Sequence, residues 1–307
     1  MDFLLFAIFI LMQLTSSHAA MREATSAQTY WKALLPQTPI PASIQQLLRP
    51  QKEMNSFKFE RGQTFFKFFS CYKCIDNETP THNDPIAQLF FLKDSLNLGA
   101  KMTLELTKSI SMQPFLSVEM AKATPFSSTK LTEILGLFNI ARGSMEAIAI
   151  QQALVECEEQ PLEGEIKRCV RSMEAMAEFV KAEMGNRDVH VVETTVEGGD
   201  DNQVVPRQVY LVGSKEHINL EGEALVSCHP VPYPRAVYYC HIMANVEAYK
   251  VHLLGSNGVV VDTVAICHLD TSAWAQNYVG FKLLKVKPGT EPICHFLPRG
   301  HLIFAGL

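Results

Sequence analysis

Residues 226–230 read VSCHP, and the same Cys-His pair returns in YYCHI (238–242), AICHL (265–269) and PICHF (292–296). Ten residues separate the first pair from the second, and 25 residues separate each later pair from the one before it. The four pairs use half of the eight cysteines and four of the ten histidines in the chain. This array therefore decides how the last third of the chain folds and what it can bind.

Each Cys-His pair lies at the end of an apolar run of the kind that forms β-strands. In a strand, successive side chains point to opposite faces, so a cysteine and the histidine after it cannot face the same site. Strands packed in a common orientation gather the cysteines on one side and the histidines on the other. In an oxidising compartment the cysteines then form disulfides and the imidazoles converge, which predicts a histidine-rich metal site held by two disulfides.

The ligand type narrows the choice of metal. A nitrogen-only cluster suits copper or zinc, and Cu(II) has the higher affinity for imidazole. A zinc finger is not expected because its ligands are spaced by a few residues rather than adjacent. A Cys-His nucleophile and base pair is not expected either, since neighbours on a strand diverge. The alternative is a purely structural array, in which disulfides accompany hydrogen-bonded core histidines.

Composition and charge exclude some classes of function. A hydrophobic content of 47% and a charged content of 19% are typical of a globular protein. The net charge of −5 argues against binding to nucleic acid or to an anionic membrane surface. At 307 residues, the chain has room for one large domain or two small ones.

The first nineteen residues are predicted to be a signal peptide (1–19). The apolar run from Phe3 to Met12 is too short to span a bilayer and leads into TSSHAA (15–20), which supplies small residues at a cleavage site. Asp2 and the lack of Lys or Arg depart from the usual pattern. No other stretch approaches the roughly 18 apolar residues of a membrane span. We therefore expect a secreted, disulfide-bonded protein.

Residues 20–86 are predicted to be an extended leader and a variable linker, because three prolines between positions 36 and 41 favour an extended chain. One helical turn is expected over Ser43–Leu48. Tyr30 and Trp31 follow a glutamine and are candidates for covalent crosslinking, although the same segment also suits an unmodified leader.

The linker carries the remaining features of a secreted chain. Cys71 and Cys74 are candidates for a linker disulfide, since nothing around them resembles the strand-to-helix setting of a redox pair. Asn77 begins the N-glycosylation sequon Asn-Glu-Thr. A domain boundary is placed near Ala87.

From Leu89 onward the pattern predicts an α+β fold, with helices followed by a mostly antiparallel β-sheet or barrel that carries the four Cys-His pairs. Strands are expected over 89–96 and 101–109, with helices over Ser127–Leu137, Ser144–Glu156 and Ser172–Met184. Cys157 and Cys169 are predicted to form a disulfide that joins the last two helices. Later strands are expected over 189–196, 204–212, 237–241, 248–254, 258–267, 280–286 and 292–295.

The array CH-x10-CH-x25-CH-x25-CH, followed by eight residues and an aromatic, is similar to the BURP domain of plant secreted proteins. Other matching phrases are LFFLKDSLNLGAKM (89–102), EGEIK (163–167), RSMEAM (171–176), VYYCH (237–241), CHLDTSAW (267–274) and VKPGTEPICHFLP (286–298). The resemblance implies a BURP domain over 87–307. One position departs from the pattern, since Phe304 stands where the family has a tryptophan.

Some BURP proteins are copper-dependent peptide cyclases, and others are known mainly as seed, pollen or cell-wall proteins of development and stress. The resemblance implies copper as the metal. It also implies that the cysteines of the array are structural disulfide partners or, as an alternative, ligands: Cys228, Cys240, Cys267 and Cys294. The implied copper ligands are His229, His241, His268 and His295.

Two functions follow. The first is a secreted protein with a copper-binding histidine cluster that acts in the cell wall, the apoplast or a storage compartment such as the vacuole during development or stress, with cell-wall components as candidate partners. The second is a copper-dependent cyclase that crosslinks Tyr30 or Trp31 of its own N-terminal peptide. Asp270, Thr271 and Trp274 are candidates for support of the His268 imidazole, or for a turn that ends its strand. His217, His252 and His301 are expected to be surface or satisfied core residues.

Overall fold

The computed structural model describes residues 26–48, 87–106, 113–197, 207–219, 223–242 and 245–306. The predicted signal peptide, Cys71, Cys74 and Asn77 lie outside these residues. Within them, no helix is long and apolar enough to cross a membrane.

The described chain contains two antiparallel sheets. The seven-stranded sheet has the order β1-β11-β10-β9-β6-β2, with β5 paired to β10, and the five-stranded sheet has the order β3-β8-β7-β12-β4. The first sheet contains β1 (Phe90–Leu92), β2 (Lys101–Leu104), β5 (Thr195–Val196), β6 (Gln208–His217), β9 (Val246–Gly255), β10 (Val260–His268) and β11 (Ile293–Leu297). The second contains β3 (Ile166–Val170), β4 (Val189–Glu193), β7 (Leu225–Pro230), β8 (Tyr238–Ile242) and β12 (Leu302–Gly306).

The helices precede most of the strands, which confirms the predicted α+β class. They are α1 (26–34), α2 (Ala42–Leu47), α3 (Val118–Ala123), α4 (Leu131–Leu137), α5 (Met145–Glu158), α6 (Met173–Met184) and α7 (Val279–Leu284). The starts of α5 and α6 are set by side-chain caps, because the hydroxyls of Ser144 and Ser172 accept hydrogen bonds from Ala147 N and Ala175 N, each at 3.2 Å.

The two sheets share an apolar interface. Apolar side chains from both form one buried cluster: Leu225, Ala248, Val264, Ile266, Leu297, Ile303 and Ala305. The chain passes from one sheet to the other between β4 and β5 at Thr194, whose buried hydroxyl donates to Leu297 O at 2.6 Å. The inner faces of the sheets therefore form a protected interior into which side chains of both can project.

The outer face of the five-stranded sheet is covered by α6 and by the N-terminal segment 26–48. Trp31, Leu35 and Ile44 are buried in the same cluster as Met176 and Val180 of α6. The extended conformation predicted for this segment is wrong for residues 26–34, which form α1, whereas the helical turn predicted over Ser43–Leu48 is present as α2. The proline-rich stretch is only the connection between two helices, and burial of the apolar side chains on either side of it decides the conformation.

Two further predictions need correction. The run 280–286 was predicted to be a strand but contains helix α7, which buries Val279 and Phe281. A short apolar run suits either structure, and here helical spacing brings the rings of Tyr278 and Phe281 to 5.8 Å. The disulfide Cys157–Cys169 is present, but it joins α5 to β3 rather than to the next helix, because β3 intervenes between them.

Candidate metal centre

The four Cys-His pairs divide between the faces of the sheets as strand alternation predicts. Cys228 and Cys240 lie directly opposite each other on β7 and β8 and form a disulfide within the cluster under α6. Cys267 and Cys294 do the same on β10 and β11, within the core of the seven-stranded sheet. The disulfides therefore lie on the outer faces of the two sheets, and the histidines that follow each cysteine point the other way, into the interior.

The histidines meet in two pairs. The Nε2 atoms of His229 and His241 are 3.2 Å apart, and those of His268 and His295 are 3.3 Å apart. All four side chains are buried, with exposed fractions of 1–3%. Each pair comes from two neighbouring strands that a disulfide crosslinks one residue earlier. The covalent links thus fix the backbones from which the paired imidazoles extend.

The spacing within each pair fits a shared metal ion. Imidazole nitrogens bind Zn²⁺ at about 2.0–2.1 Å, so two of them in a tetrahedral site lie about 3.3 Å apart. The Nε2–Nε2 distances match that value, and they also suit a hydrogen bond from one ring to the other, as in the alternative of a purely structural array. An all-nitrogen donor set in an apolar interior suits copper or zinc rather than a hard cation such as Mg²⁺.

The four nitrogens do not meet at one point. Among the described residues, the group whose ligand atoms all lie within 4.8 Å of one another is a different one, formed by Glu197, His252 and Asp262. That group is partly exposed, and Lys250 Nζ lies 3.6 Å from Asp262 Oδ2, where it competes with a cation. The buried histidine pairs are the better candidate for a soft or borderline metal because their donors are all imidazoles.

Burial strongly affects the protonation of the histidines. It lowers the pKa of His229 and of His268 well below the ordinary value, and neighbouring imidazoles lower both further. Burial also lowers the pKa of His295 to about 3. The imidazoles of the second pair contribute to the lowered pKa of His229, so the two pairs lie close enough to influence each other. A neutral imidazole keeps a lone pair, which a metal ligand requires.

A buried carboxylate, which was not predicted as a site residue, contacts the first pair. Glu165 Oε1 accepts hydrogen bonds from Nδ1 of His241 at 2.9 Å and from the hydroxyl of Tyr239 at 2.8 Å. Burial of Glu165 opposes its ionisation, but these hydrogen bonds and the electrostatic interaction with His241 hold the carboxyl pKa at about 2. The sequence offered one signal, the phrase EGEIK, which matched the family but carried no assigned role.

A fifth histidine also belongs to the cluster. His301 was predicted to be a surface or satisfied core residue near the fourth Cys-His pair, but its Nδ1 lies 2.8 Å from Nδ1 of His229, in the first pair. Its side chain is buried, with an exposed fraction of 2%. The contact arises because β12, which begins just after His301, pairs with β7, and Leu302 lies opposite Cys228.

The residues after His268 form a turn. The exposed Asp270 accepts a hydrogen bond from Ser272 N at 2.9 Å. This contact corresponds to the predicted turn at the end of the strand, rather than to support of His268. Thr271 is buried, and its hydroxyl accepts from Gly289 N at 3.0 Å. The ring of Trp274 packs on His268, with ring centroids 4.9 Å apart.

The candidate crosslinking residues lie on α1. Trp31 is fully buried and its indole N–H donates to Thr38 O at 2.9 Å. Tyr30 is 39% exposed and its hydroxyl donates to Glu178 Oε1 at 2.7 Å. Both side chains thus have structural partners in the folded chain.

Comparison with known proteins gives a consistent result. A family model described as the BURP domain matches residues 89–306. The chain is 40% identical over 235 residues to BURP domain-containing protein 3 of Oryza sativa subsp. japonica, covering 76% of this chain and 54% of that protein. It is 36% identical over 285 residues to BURP domain-containing protein 5 of the same organism, covering 92% of this chain and 86% of that protein.

A relative from another plant matches a similar length. The chain is 38% identical over 236 residues to the BURP domain protein RD22 of Arabidopsis thaliana, covering 76% of this chain and 59% of that protein. The chain thus spans little more than half the length of two of these three relatives. Residues 89–306, which the family model matches, contain all four Cys-His pairs and Glu165.

Proposed function

The chain belongs to the BURP domain family, and we propose that it is a secreted plant protein that binds copper through His229, His241, His268 and His295. The observation that carries the proposal is the approach of the Nε2 atoms within each buried pair to 3.2 and 3.3 Å. Burial of an imidazole costs free energy because the ring loses its hydrogen bonds to water. A metal ion bound between two such rings would offset that cost.

The protein contributes a preorganised donor set. The Cys228–Cys240 and Cys267–Cys294 disulfides fix the strand backbones beside the histidines, and the shared apolar interface of the sheets limits access of water. Copper bound there would supply one-electron redox chemistry with oxygen as the oxidant. Low water access favours neutral imidazole, and thus metal binding, over protonation.

The proposed compartment is extracellular, in the cell wall or apoplast, or else a storage compartment such as the vacuole. The described residues contain three disulfides, which persist in oxidising compartments. The relatives are plant proteins, and the proposal includes a role in plant development or stress with cell-wall components as partners. Cleavage after the signal peptide and glycosylation at Asn77 belong to the same proposal.

Self-cyclisation is the weaker alternative. The indole of Trp31 is fully buried and already donates to Thr38 O, so a crosslink at Trp31 requires α1 to leave the domain. Tyr30 is the more accessible of the two aromatics, and its hydroxyl contacts Glu178 at the surface. The proposal therefore gives copper binding priority over reaction with the protein's own N-terminal segment.

The test is a calorimetric titration of the disulfide-bonded protein with Cu(II), with stoichiometry measured by elemental analysis. We expect stoichiometric binding, with less copper bound or a weaker affinity when either pair is changed, in His229→Gln/His241→Gln or in His268→Gln/His295→Gln. The exposed His217→Gln variant is the control for surface histidines, and His252→Gln tests the group with Glu197 and Asp262. Copper binding that neither double variant reduces, or that is lost in His252→Gln, would overturn the proposal.

A further inference from the structure

Glu165 is held in the interior by the turn that precedes β3. The backbone N of Glu165 donates to Leu162 O at 3.0 Å, and the N of Leu162 donates back to Glu165 Oε2 at 2.8 Å. Gly164, with φ +78°, allows the chain to turn between them. Pairing of β3 with β8 then brings Glu165 beside His241, since Lys167 lies opposite His241.

The direction of each hydrogen bond to Glu165 is fixed by chemistry. The backbone amide of Leu162 can only donate, and an ionised carboxylate can only accept. Oε2 therefore accepts from Leu162, while Oε1 accepts from the hydroxyl of Tyr239 and from His241 Nδ1. It follows that Nδ1 of His241 carries a proton whether the imidazole is neutral or cationic.

This arrangement decides which nitrogen of His241 is available to a metal. Because Nδ1 is engaged with Glu165, the other ring nitrogen, Nε2, faces the interior and lies 3.2 Å from Nε2 of His229. Metal-binding histidines commonly donate their second ring nitrogen to a carboxylate, which fixes the tautomer and the ring orientation.

We propose that Glu165 is a positioning residue that holds His241 as an Nε2 donor, with Tyr239 as the second donor that holds the carboxylate in place. The inference rests on the proposed metal function of His241. The Glu165 side chain is 3% exposed and accepts three hydrogen bonds, so a mobile surface contact does not account for it.

The most specific test is Glu165→Gln. Glutamine keeps the shape of the glutamate side chain but reverses the direction of the hydrogen bond with His241. Leu162 N can only donate, so the amide oxygen of glutamine is required there, and the amide NH₂ must face His241. His241 then has to accept at Nδ1, which moves the proton of a neutral ring to Nε2, the proposed ligand atom. A substitution that only weakened packing would not exchange the two ring nitrogens.

Two measurements read the outcome. In the metal-free protein, ¹⁵N NMR of the histidine side chains reports which nitrogen of His241 is protonated, and we expect Nδ1–H in the wild type and an unprotonated Nδ1 in Glu165→Gln. In the copper-loaded protein, we expect Glu165→Gln to weaken Cu(II) binding by about 10- to 100-fold. We also expect its electron paramagnetic resonance spectrum to differ from that of the wild type.

The control is Glu247→Gln. Glu247 also accepts from a tyrosine hydroxyl, that of Tyr249, and pairs with Lys93 at 2.7 Å, but it is not hydrogen-bonded to any of the four proposed ligands. We expect the histidine tautomers and the copper affinity of Glu247→Gln to match those of the wild type. Tyr239→Phe, which keeps the Glu165–His241 contact, should keep Nδ1–H and lose less affinity than Glu165→Gln.

The role of Glu165 would be overturned if Nδ1 of His241 stayed protonated in Glu165→Gln. It would also be overturned if the copper affinity of Glu165→Gln lay within twofold of the Glu247→Gln control and the two spectra were the same. Failure of the wild type to bind copper at the histidines would instead overturn the proposed function. The NMR result in the metal-free protein separates these cases, because it does not depend on copper.

Discussion

The indole ring of Trp31 packs against the ring of Phe304, with centroids 6.1 Å apart. Phe304 occupies the position at which the sequence departs from the tryptophan of the family pattern. On β12 it faces the cluster under α6 rather than the sheet interface that holds Ile303. The aromatic at position 304 therefore serves the attachment of the N-terminal segment, and its change to phenylalanine leaves the histidine site intact.

Removal of the Trp31 side chain should destabilise the whole domain. Trp31→Ala leaves a cavity in the cluster with Met176 and Phe304, and we expect the free energy of unfolding to fall by about 3–5 kcal/mol. Urea denaturation measures the change, with Tyr30→Phe as the control because Tyr30 is 39% exposed. Equal stability of both variants would mean that α1 does not pack on the domain in solution.

The same burial predicts that Trp31 does not react. After incubation of the folded protein with Cu(II) and oxygen, the proteolytic peptide that contains Trp31 should keep its mass, because the indole is enclosed. Mass spectrometry with fragmentation gives the answer. A peptide lighter by two hydrogens, with the new bond at Trp31, would contradict the structural role and revive the cyclase alternative.

The disulfides beside the histidines should affect both stability and copper binding. Cys228–Cys240 closes a separation of 12 residues, so Cys228→Ala/Cys240→Ala should lower the free energy of unfolding by about 3 kcal/mol. We also expect weaker copper binding, because the crosslink fixes the strands just before His229 and His241.

The matched control is Cys157→Ala/Cys169→Ala, whose disulfide spans the same separation of 12 residues but joins α5 to β3. Denaturation and copper titration should show a similar loss of stability in both double variants and a larger loss of copper affinity in the first. Equal copper affinities would show that the crosslink beside the histidines does not organise the site.

Acid should unfold the metal-free protein over a defined pH range. Burial lowers the pKa of His229, His268, His295 and His301 below the ordinary value of about 6.5. The unfolded chain then binds more protons than the folded one, so stability is present above about pH 6.5 and is lost as the pH falls toward the folded pKa values, about 3 for His295 and His301.

Each such imidazole contributes a slope of up to about 1.4 kcal/mol per pH unit in that range. The free energy of unfolding, measured with urea at several pH values, should fall less steeply in His301→Gln than in the exposed His217→Gln control. Glu165, with a pKa of about 2, adds a separate loss below about pH 4.5. A stability that does not change between neutral pH and pH 5 would contradict the burial of neutral histidines.

The face on which each residue of the array lies could be predicted from the sequence. Strand alternation alone separates Cys228 from His229 and Cys294 from His295, and the structure confirms the division. Helices α5 and α6 could be predicted equally well, because Ser144 and Ser172 are local N-cap signals.

The neighbours of the histidines could not be predicted, because they depend on contacts between distant parts of the chain. Glu165 is 76 residues from His241, and His301 is 72 residues from His229. Both contacts depend on the order of the strands in the sheet. The hydrophobic periodicity of the sequence does not predict that order. Trp31 was misjudged for the same reason, since nearby prolines are a local signal and its burial under α6 is not.

The central claim is that the inward-facing imidazoles bind copper, and the most direct measurement is pulsed electron paramagnetic resonance of the Cu(II)-loaded protein. We predict modulation from the remote nitrogens of histidine ligands, which is reduced in His229→Gln/His241→Gln and in His268→Gln/His295→Gln but unchanged in His217→Gln and His252→Gln. A spectrum without imidazole coupling, or one that both double variants leave unchanged, would contradict the account.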